Sequence, residues 1–418
     1  MGDGDRVTAS ARVQPLTRRA LSTWELTALM GLMMASGAFA IDIMLPALQD
    51  IAAAFGVAET RAQLVVNVYF VGFAVGQLFF GPWSDQVGRR LPLLVAAAGY
   101  GVAVLGMLVA PTFGLLLALR FVQGAFSSGL RAAGTALVRD SFRGEAMARI
   151  LSFAFMVLLA APLFAPSIGV LLLRWSWRAP FGFMAILAVV LFLWLVLRVP
   201  ETLPPERRTA QSPAHLWAAA KAFWAVKVSV AFTIILGLSY GVLQAYLASA
   251  SQLVKDSFGL NNQEFAIAFA LGGLAQVVGT IVNGTLITRL GLRRVLPAAL
   301  VILAVATSYL VVASVLSDRF SVFWFGVLLM FFAIALIFPN TNSAALEPLG
   351  RIAGFASSLV GFGSTALASL FGTAIGQISE GEPHRFAFGL WLLALGNLVV
   401  LAWVWRLGWM RARTAGES

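Results

Sequence analysis

The sequence contains no cysteine and only two histidines, His215 and His384. Without thiols, the chain cannot form disulfides or cysteine-ligated metal sites, and it has no thiolate chemistry. Both histidines fall in predicted loops, so a metal centre built from histidines is not expected. Charge is scarce too, since 11% of the 418 residues are charged and 60% are hydrophobic. A soluble protein of this length would expose too much apolar surface to stay dispersed.

Apolar windows of about 20 residues, the length that crosses a bilayer core, recur along the whole chain. We count twelve of them, at residues 24–46, 63–83, 91–111, 114–137, 150–173, 180–198, 225–248, 263–287, 295–316, 321–343, 352–377 and 385–407. The sequence therefore predicts an all-α polytopic membrane protein. Its basic N-terminus leads straight into a full-length span, so no cleavable signal peptide is expected.

The stretch "VPETLPPERRTAQSPAHLW" separates the sixth and seventh windows and is rich in proline and charge, which is typical of a linker. We therefore expect two six-helix bundles joined by a cytoplasmic linker. The predicted segments are a cytoplasmic N-terminal tail (1–23), the first bundle (24–198), the linker (199–224), the second bundle (225–407) and a cytoplasmic tail (408–418).

An internal repeat supports two related bundles. A shift of 203 residues, close to half the chain, aligns four positions of the first half with identical residues in the second: Gly76, Gly81, Gly88 and Arg90 align with Gly279, Gly284, Gly291 and Arg293. Two repeated bundles would require such a shift.

The distribution of basic residues predicts the orientation. If the N-terminus is cytoplasmic, the inner segments carry 21 Lys and Arg, whereas the outer loops carry six. This bias follows the positive-inside rule, so we expect both termini in the cytoplasm. The net charge of +11 is then a topology signal with added contact to anionic lipids, and no nucleic-acid partner is expected.

The stretch "GPWSDQVGRR" follows the second window and gives the pattern G-x-x-x-D-x-x-G-R-R, formed by Gly81, Asp85, Gly88, Arg89 and Arg90. The glycines allow a tight turn and close helix approach, and Asp85 can accept hydrogen bonds or pair with arginine. By itself the stretch could be a basic turn that only sets topology. It resembles the loop-two/three signature of the major facilitator superfamily, where the Asp and the basic residues latch one conformation. The second copy has Thr288 in place of Asp85, so we expect the latch only in the first half.

Other stretches extend the resemblance. "RFVQGAFSSG", from Arg120, is similar to the R-x-x-Q-G signature of the fourth span in this superfamily. "APLFAPSIG" resembles the fifth-span antiporter signature G-x-x-x-G-P-x-x-G, with Pro166 and Gly169 retained but Ala161 and Ala165 in place of glycines. Alanine still permits close helix packing.

"DIMLP", "PETLPPERR" and "FPNTNSAAL" resemble the bicyclomycin/chloramphenicol-resistance (Bcr/CflA) branch of drug:proton antiporters. The resemblance implies twelve helices in two pseudo-symmetric six-helix bundles. It also implies export of small, amphipathic drugs or antibiotics by alternating access, with a proton gradient and no cofactor. We expect a monomer in the bacterial inner membrane whose partners are its substrate, protons and lipids.

Asp42 is the only acid well inside a predicted span. An acid there raises the free energy of membrane insertion by a few kcal/mol, so it requires a reason. Burial disfavours the ionised carboxylate, which allows such a group to take up protons near neutral pH. We therefore predict a proton-coupling site at Asp42. The alternative is a structural acid, hydrogen-bonded near the outer end of span one before Pro46.

Arg120 and Arg131 are the only basic residues predicted to be buried in the spans, away from their ends. Eleven residues of helix place them within about 20° of one face and about 16 Å apart, so this face should line a wet cavity. For Arg120 the family resemblance implies a role in the proton step. Position 131 is usually small or apolar in that family, so Arg131 is a departure. It either snorkels towards the cytoplasm or adds a positive site that tolerates neutral or anionic substrates better than cations.

Several weaker candidates could line the cavity or form hydrogen bonds between helices, worth about 0.6 kcal/mol each. They are Tyr69, Tyr240, Gln244, Asn340 and Asn342.

Two other classes of function, a membrane enzyme and a sensor, are the alternatives to transport. A membrane enzyme would need converging nucleophilic, acid–base or metal-binding groups, which one acid and two arginines do not supply. A sensor would usually carry an added soluble domain, and both tails are short. Within transport, the alternative to drug efflux is a major-facilitator exporter or importer of a sugar or another metabolite.

Overall fold

The computed structural model of the protein describes residues 22–142, 150, 153, 157, 164–208 and 213–409. Its helices are α1 (Thr23–Asp42), α2 (Leu48–Phe55), α3 (Glu59–Ala62), α4 (Leu64–Val87), α5 (Arg90–Leu108), α6 (Phe113–Ser141), α7 (Phe164–Leu173), α8 (Ala179–Arg198), α9 (Pro213–Ala225), α10 (Lys227–Gln252), α11 (Asn262–Leu290), α12 (Leu292–Leu316), α13 (Phe320–Leu346), α14 (Ala353–Ser379) and α15 (Pro383–Arg406). Nearly all of the two predicted tails, and Ala161, lie outside the described residues.

The described part of the chain contains no strand, and eleven of its helical segments are long and apolar enough to cross a membrane. α7 is the described end of the fifth predicted span. Helices suit this setting because each satisfies its own backbone hydrogen bonds where water is absent. The predicted all-α membrane fold is confirmed.

Span one breaks directly after Asp42, where α1 ends. A short 3₁₀ turn, Leu45–Ala47, follows, and α2 then continues to Phe55. Pro46 has no backbone N–H and its ring excludes a continuous α-helix, so the break has a local cause.

Consecutive spans are joined by short connections and alternate in direction. We call the end of the bundle where α1 begins and α15 ends the terminal face, and the end that holds α2 and α3 the distal face. The bias in Lys and Arg predicts that the terminal face is cytoplasmic.

Glycines bring α4 and α6 into close backbone contact. A Cβ at Gly72 would overlap the carbonyl oxygen of Phe121, and a Cβ at Gly124 would overlap that of Tyr69. Small residues are the usual means of close helix packing in membranes. The opposite side of α4 packs against α14, where Gln77 Nε2 donates to Thr365 Oγ1 at 3.2 Å. α4 is therefore a central element of the interface between the halves.

Within the predicted linker, residues 213–225 form α9. Trp217 and Trp224 lie seven residues apart and are exposed, whereas Ala219 and Phe223 are buried. Exposed tryptophans on one side of an apolar helix are typical of a helix lying at a membrane interface.

Candidate transport site

Asp42 lies at the C-terminal end of α1 and is 5% exposed. Among the residues that the structure describes, no side chain forms an ion pair or hydrogen bond with its carboxylate. A structural acid would have such partners, because a buried carboxylate is stable only when it is paired or protonated. Asp42 therefore has the surroundings of a group that binds a proton.

Gly169 of the fifth-span signature packs against the break that follows Asp42. Pro166 and Gly169 are both buried in α7. A Cβ at Gly169 would overlap the carbonyl oxygen of Ile43 and would lie 3.3 Å from Cγ of Pro46. The absence of a side chain at Gly169 thus allows α7 to touch the break that follows Asp42.

Arg120 is fully buried in α6. Its Nε donates to the carbonyl oxygen of Val65 at 2.8 Å, and its Nη1 donates to Gln123 Oε1 at 2.6 Å. Its guanidinium carbon lies 4.9 Å from the centre of the Tyr69 ring. Nη2 has no partner among the described residues. Dipoles and an aromatic face therefore hold this charge in place of a carboxylate.

Asp42 and Arg120 lie at the same depth but do not pair in this conformation. α1 and α6 run in opposite directions, and a Cβ at Gly37 would lie 3.4 Å from Ser127 Oγ. Asp42 is five residues beyond Gly37, about 7.5 Å along the axis, which is the depth of residues 120 to 123 on α6. Both charges belong to the first half, so a rigid rocking of the halves would not change their separation. An approach would require α1 to move against α6.

Tyr69 connects Arg120 to α1. Its hydroxyl donates to Ser127 Oγ at 2.8 Å and lies 3.4 Å from the carbonyl oxygen of Gly37. Ser127 was not among the predicted site residues, although it follows Arg120 by seven residues and so shares its helix face. In this conformation Tyr69 forms hydrogen bonds between helices, which is one of the two roles predicted for it.

A cluster of three polar side chains crosses the interface between the halves. Gln244 Nε2 of α10 lies 3.3 Å from Ser369 Oγ of α14 and 3.4 Å from Asn67 Oδ1 of α4. Ser369 Oγ donates to the carbonyl oxygen of Asn67 at 3.1 Å. Asn67 Nδ2 and Gln244 Oε1 remain without partners among the described residues. Gln244 was predicted for the cavity, whereas Asn67 and Ser369 were not.

Aromatic side chains also cross this interface. Tyr240 of α10 makes edge contacts with Phe70 of α4, at 5.7 Å between ring centres, and with Phe338 of α13, at 5.4 Å. Tyr69 stacks on Phe73 at 6.3 Å and meets Phe70 at 5.7 Å. We call these five residues the aromatic wall. Tyr240, Phe73 and Phe338 are only half-buried, so parts of their rings are accessible.

Asn340 lies inside the second half. Its Nδ2 donates to Asn283 Oδ1 and to the carbonyl oxygen of Leu336, both at 2.7 Å. This bond joins α13 to α11. Asn340 therefore forms a hydrogen bond between helices, the alternative to lining the cavity. Asn342, two residues on, is exposed.

The halves are tied together at the distal face. Gln49 Nε2 donates to Asp256 Oδ1 at 2.6 Å, and Gln63 Nε2 donates to Gln252 Oε1 at 2.9 Å. Lys255 Nζ donates to the carbonyl oxygen of Pro46 at 3.1 Å. These bonds close the distal end of the interface and were not predicted.

Near the terminal face, Arg89 organises the predicted latch. Its Nη1 bonds Asp85 Oδ1 and, at 2.7 Å, Ser84 Oγ, while its Nε donates to Asp140 Oδ2 of α6 at 2.6 Å. Burial alone would lower the pKa of Arg89, but its bonds to Asp140 and Asp85 raise that pKa above its usual value. Arg89 therefore stays charged and joins α4 to α6.

Glu201 completes this cluster from the start of the linker. Its carboxylate accepts the backbone N–H groups of Arg89 at 2.8 Å and Arg90 at 3.3 Å. Gly88 has a φ of 105°, and a Cβ there would overlap this carboxylate. Arg90 donates from Nη2 to the carbonyl oxygen of Val196 at 3.2 Å. Glu201 lies within the quoted "PETLPPERR" stretch, but its role was not predicted.

The second copy of the stretch has a different structure. Thr288 takes the place of Asp85, and its hydroxyl donates to the carbonyl oxygen of Thr285 in its own helix at 2.9 Å. At the shift of 203 residues, Leu292 takes the place of Arg89. The aspartate–arginine pair of the first half therefore has no counterpart here.

Sequence comparison identifies the family. The sequence model of the Major Facilitator Superfamily matches residues 28–373. The chain belongs to the major facilitator superfamily. It is therefore a membrane transporter and not an enzyme, and both predictions are confirmed.

Curated relatives agree with the predicted branch. The chain is 29% identical to multidrug resistance protein D of Escherichia coli over 391 residues, which cover 89% of this chain and 93% of that protein. It is 26% identical to the bicyclomycin resistance protein homolog of Haemophilus influenzae over 357 residues, or 84% and 89% of the two chains.

Solved structures show the same fold at low identity. The xylose transporter XylE from E. coli, in a partially occluded inward-open conformation, superposes with a TM-score of 0.72 at 13% identity and covers 95% of this chain and 99% of that one. A D-xylose–proton symporter superposes with a TM-score of 0.71 at 15% identity, covering 92% and 96%. The predicted fold class, two pseudo-symmetric six-helix bundles, is confirmed.

Proposed function

We propose that the protein exports small amphipathic molecules, such as drugs, in exchange for protons, and that Asp42 binds the coupling proton. The observation that carries the proposal is a buried carboxylate at a helix break with no described partner. The resistance proteins among the relatives support the substrate class and the direction.

The transport cycle follows from the arrangement of the halves. With the distal face closed by the bonds of Gln49, Gln63 and Lys255, substrate enters from the terminal face and reaches the aromatic wall. Loss of a proton from Asp42 accompanies substrate capture. Breaking the distal bonds then opens the opposite side, where substrate leaves and Asp42 is protonated again. Exchange requires only that proton and substrate favour different loaded states.

Arg120 is the positioning group of this step. The position of Arg120 on α6 is at about the depth of Asp42. Tyr69, whose ring lies under the guanidinium, connects Arg120 to α1. Movement of α1 towards α6 would bring the ionised carboxylate towards this charge and so favour proton release. Movement away would favour proton uptake.

We also propose that the transporter lies in the bacterial cytoplasmic membrane as a monomer, with both termini in the cytoplasm. The excess of basic residues at the terminal face supports this orientation. A scan of reporter fusions tests it. Reporters inserted at residues 200–220 should be cytoplasmic, and an external location would overturn the topology.

The test of function compares Asp42→Asn with Asp42→Glu and wild type in cells loaded with a drug that wild type exports. Asp42→Asn mimics the protonated carboxyl permanently and should abolish uphill efflux while keeping substrate binding, most clearly for an uncharged substrate. Asp42→Glu should retain partial activity. Asp50→Asn is the matched control, because Asp50 is an exposed acid in the same broken span. Uphill, uncoupler-sensitive efflux by Asp42→Asn would place the proton elsewhere.

A further inference from the structure

Arg131 extends its side chain away from the terminal face. α4 and α6 both run towards that face, and their contacts pair Gly72 with Phe121 and Gly76 with Ala125. In this register the Cα of Arg131 lies about 10 Å nearer the terminal face than the Cα of Phe73. Its guanidinium carbon nevertheless lies 6.0 Å from the Phe73 ring centre. The side chain therefore points towards the middle of the membrane, as side chains on a helix tend to do along this direction. Snorkelling towards the cytoplasm would require the opposite direction.

The Arg131 charge has no acidic partner among the described residues. Arg89, Arg198 and Arg385 each pair with a carboxylate, whereas Arg131 forms no ion pair and is exposed. The Phe73 ring that it covers belongs to a series of ring contacts that reaches Tyr240 of the second half. These contacts place the charge next to the interface between the halves. An unpaired cation at this depth requires water or an anionic ligand.

The aromatic wall begins at the ring that Arg131 covers. Phe73 is its first member, and the ring contacts continue through Tyr69 and Phe70 to Tyr240 and Phe338 on the other half. An aromatic surface beside one fixed charge is a common way to bind an amphipathic molecule and fix its orientation.

We infer that this site selects aromatic anions. The carboxylate or sulfonate of the substrate would bind the guanidinium of Arg131, and its apolar body would lie on the aromatic wall. The inference rests on the proposed function, whose substrate class it narrows.

An anion at Arg131 and a proton at Asp42 do not compete by charge, since an ionised Asp42 would repel the anion. The exchange of proton for anion must then arise because only some of the ligand-bound states of the protein can change conformation. Binding of the anion to a protein at rest requires no such coupling, so it can be tested separately from transport.

The experiment measures binding by calorimetry, near neutral pH, to the full-length protein in lipid nanodiscs. The probes share a naphthalene ring and differ in charge: 1-naphthaleneacetate (anion), 1-naphthaleneacetamide (neutral) and 2-(1-naphthyl)ethylammonium (cation). Wild type should bind the anion about tenfold more tightly than the other two, the usual size of a hydrogen bond to a charged group. Arg131→Gln should remove that preference and leave the amide unchanged.

Two variants separate charge at the site from charge elsewhere. Arg131→Lys should keep most of the preference for the anion, and Arg139→Gln, which removes an exposed arginine near the end of the same helix, should keep all of it. Thermal unfolding midpoints should agree across the set. The inference is overturned if wild type prefers the cation, shows no preference, or keeps its preference in Arg131→Gln. Intact anion selectivity with no proton-driven efflux would instead contradict the proposed function.

Discussion

The two halves share a fold and a repeated sequence pattern, but they contain different polar groups. In the first half, Asp42, Arg120 and Arg131 lie within the membrane spans, and Arg89 forms an ionic cluster near the terminal face. The interior polar groups of the second half, over the residues described, are amides and hydroxyls such as Gln244, Asn283 and Asn340.

In the proposed mechanism, the proton acts on the first half. A proton changes the charge of a carboxylate but not of an amide, and Asp42 is the only buried acid among the described residues. The second half contributes Tyr240, Phe338, Gln244 and Ser369 to the contacts at the interface. Variants that exchange or remove these features should therefore have unequal effects.

The largest effect is expected for Arg120→Gln. Removing the charge at the depth of Asp42 should reduce uphill efflux at least a hundredfold, in the range found for groups that act directly in a coupled step. Arg120→Lys should recover only part, because one ammonium cannot reproduce the two bonds to Val65 and Gln123. Efflux is compared at equal membrane expression. Wild-type rates in Arg120→Gln would exclude Arg120 from the proton step.

Gly169→Ala should reduce efflux about tenfold. The added methyl group would overlap the carbonyl oxygen of Ile43 and displace α7 from the break beside Asp42. Gly182→Ala in α8 is the matched control, since its methyl group would find only Leu108, at 4.0 Å. Equal efflux by the two variants would show that α7 does not position Asp42.

A smaller effect, about threefold, is expected for Asp85→Asn. The variant loses one charge next to Arg89 but keeps Asp140, so it should fold and insert while turnover slows as the balance between two bundle arrangements shifts. Initial rates at saturating drug measure this. Full rates at equal expression would mean that the stretch is only a topology turn.

Within the second-half copy, Thr288→Asp should change efflux by less than twofold. Leu292 stands where Arg89 pairs with Asp85 in the first half, so the new acid would lack that partner. A change as large as that of Asp85→Asn would show that the two copies are functionally equivalent.

Asn340→Ala should have the smallest effect on transport. It removes the bond to Asn283, worth about 0.6 kcal/mol on average between membrane helices, and should lower the thermal unfolding midpoint slightly. A severe loss of efflux with unchanged unfolding would assign Asn340 to the substrate site.

The sequence was sufficient to predict the helical membrane fold, Asp42 as an isolated acid and the pairing of Asp85 with an arginine. Membrane spans are recognisable in a sequence as apolar windows of about 20 residues, and a charged residue inside such a window is easily identified. Asn67, Ser369 and Glu201 could not be found this way. Each is one polar residue without periodic spacing, and its partner lies on an element more than 100 residues away. The direction of the Arg131 side chain likewise depends on the register of α4 against α6, which composition does not reveal.

The central claim is that Asp42 binds the proton exchanged for substrate. It is tested most directly in proteoliposomes without an imposed gradient, by adding outside a drug that wild-type cells export and following the internal pH with a trapped dye. For wild type, drug entry should drive protons out and raise the internal pH, and an uncoupler should abolish the change. Asp42→Asn should bind the drug and give no pH change. Drug-driven proton movement by Asp42→Asn at the wild-type rate would contradict the account.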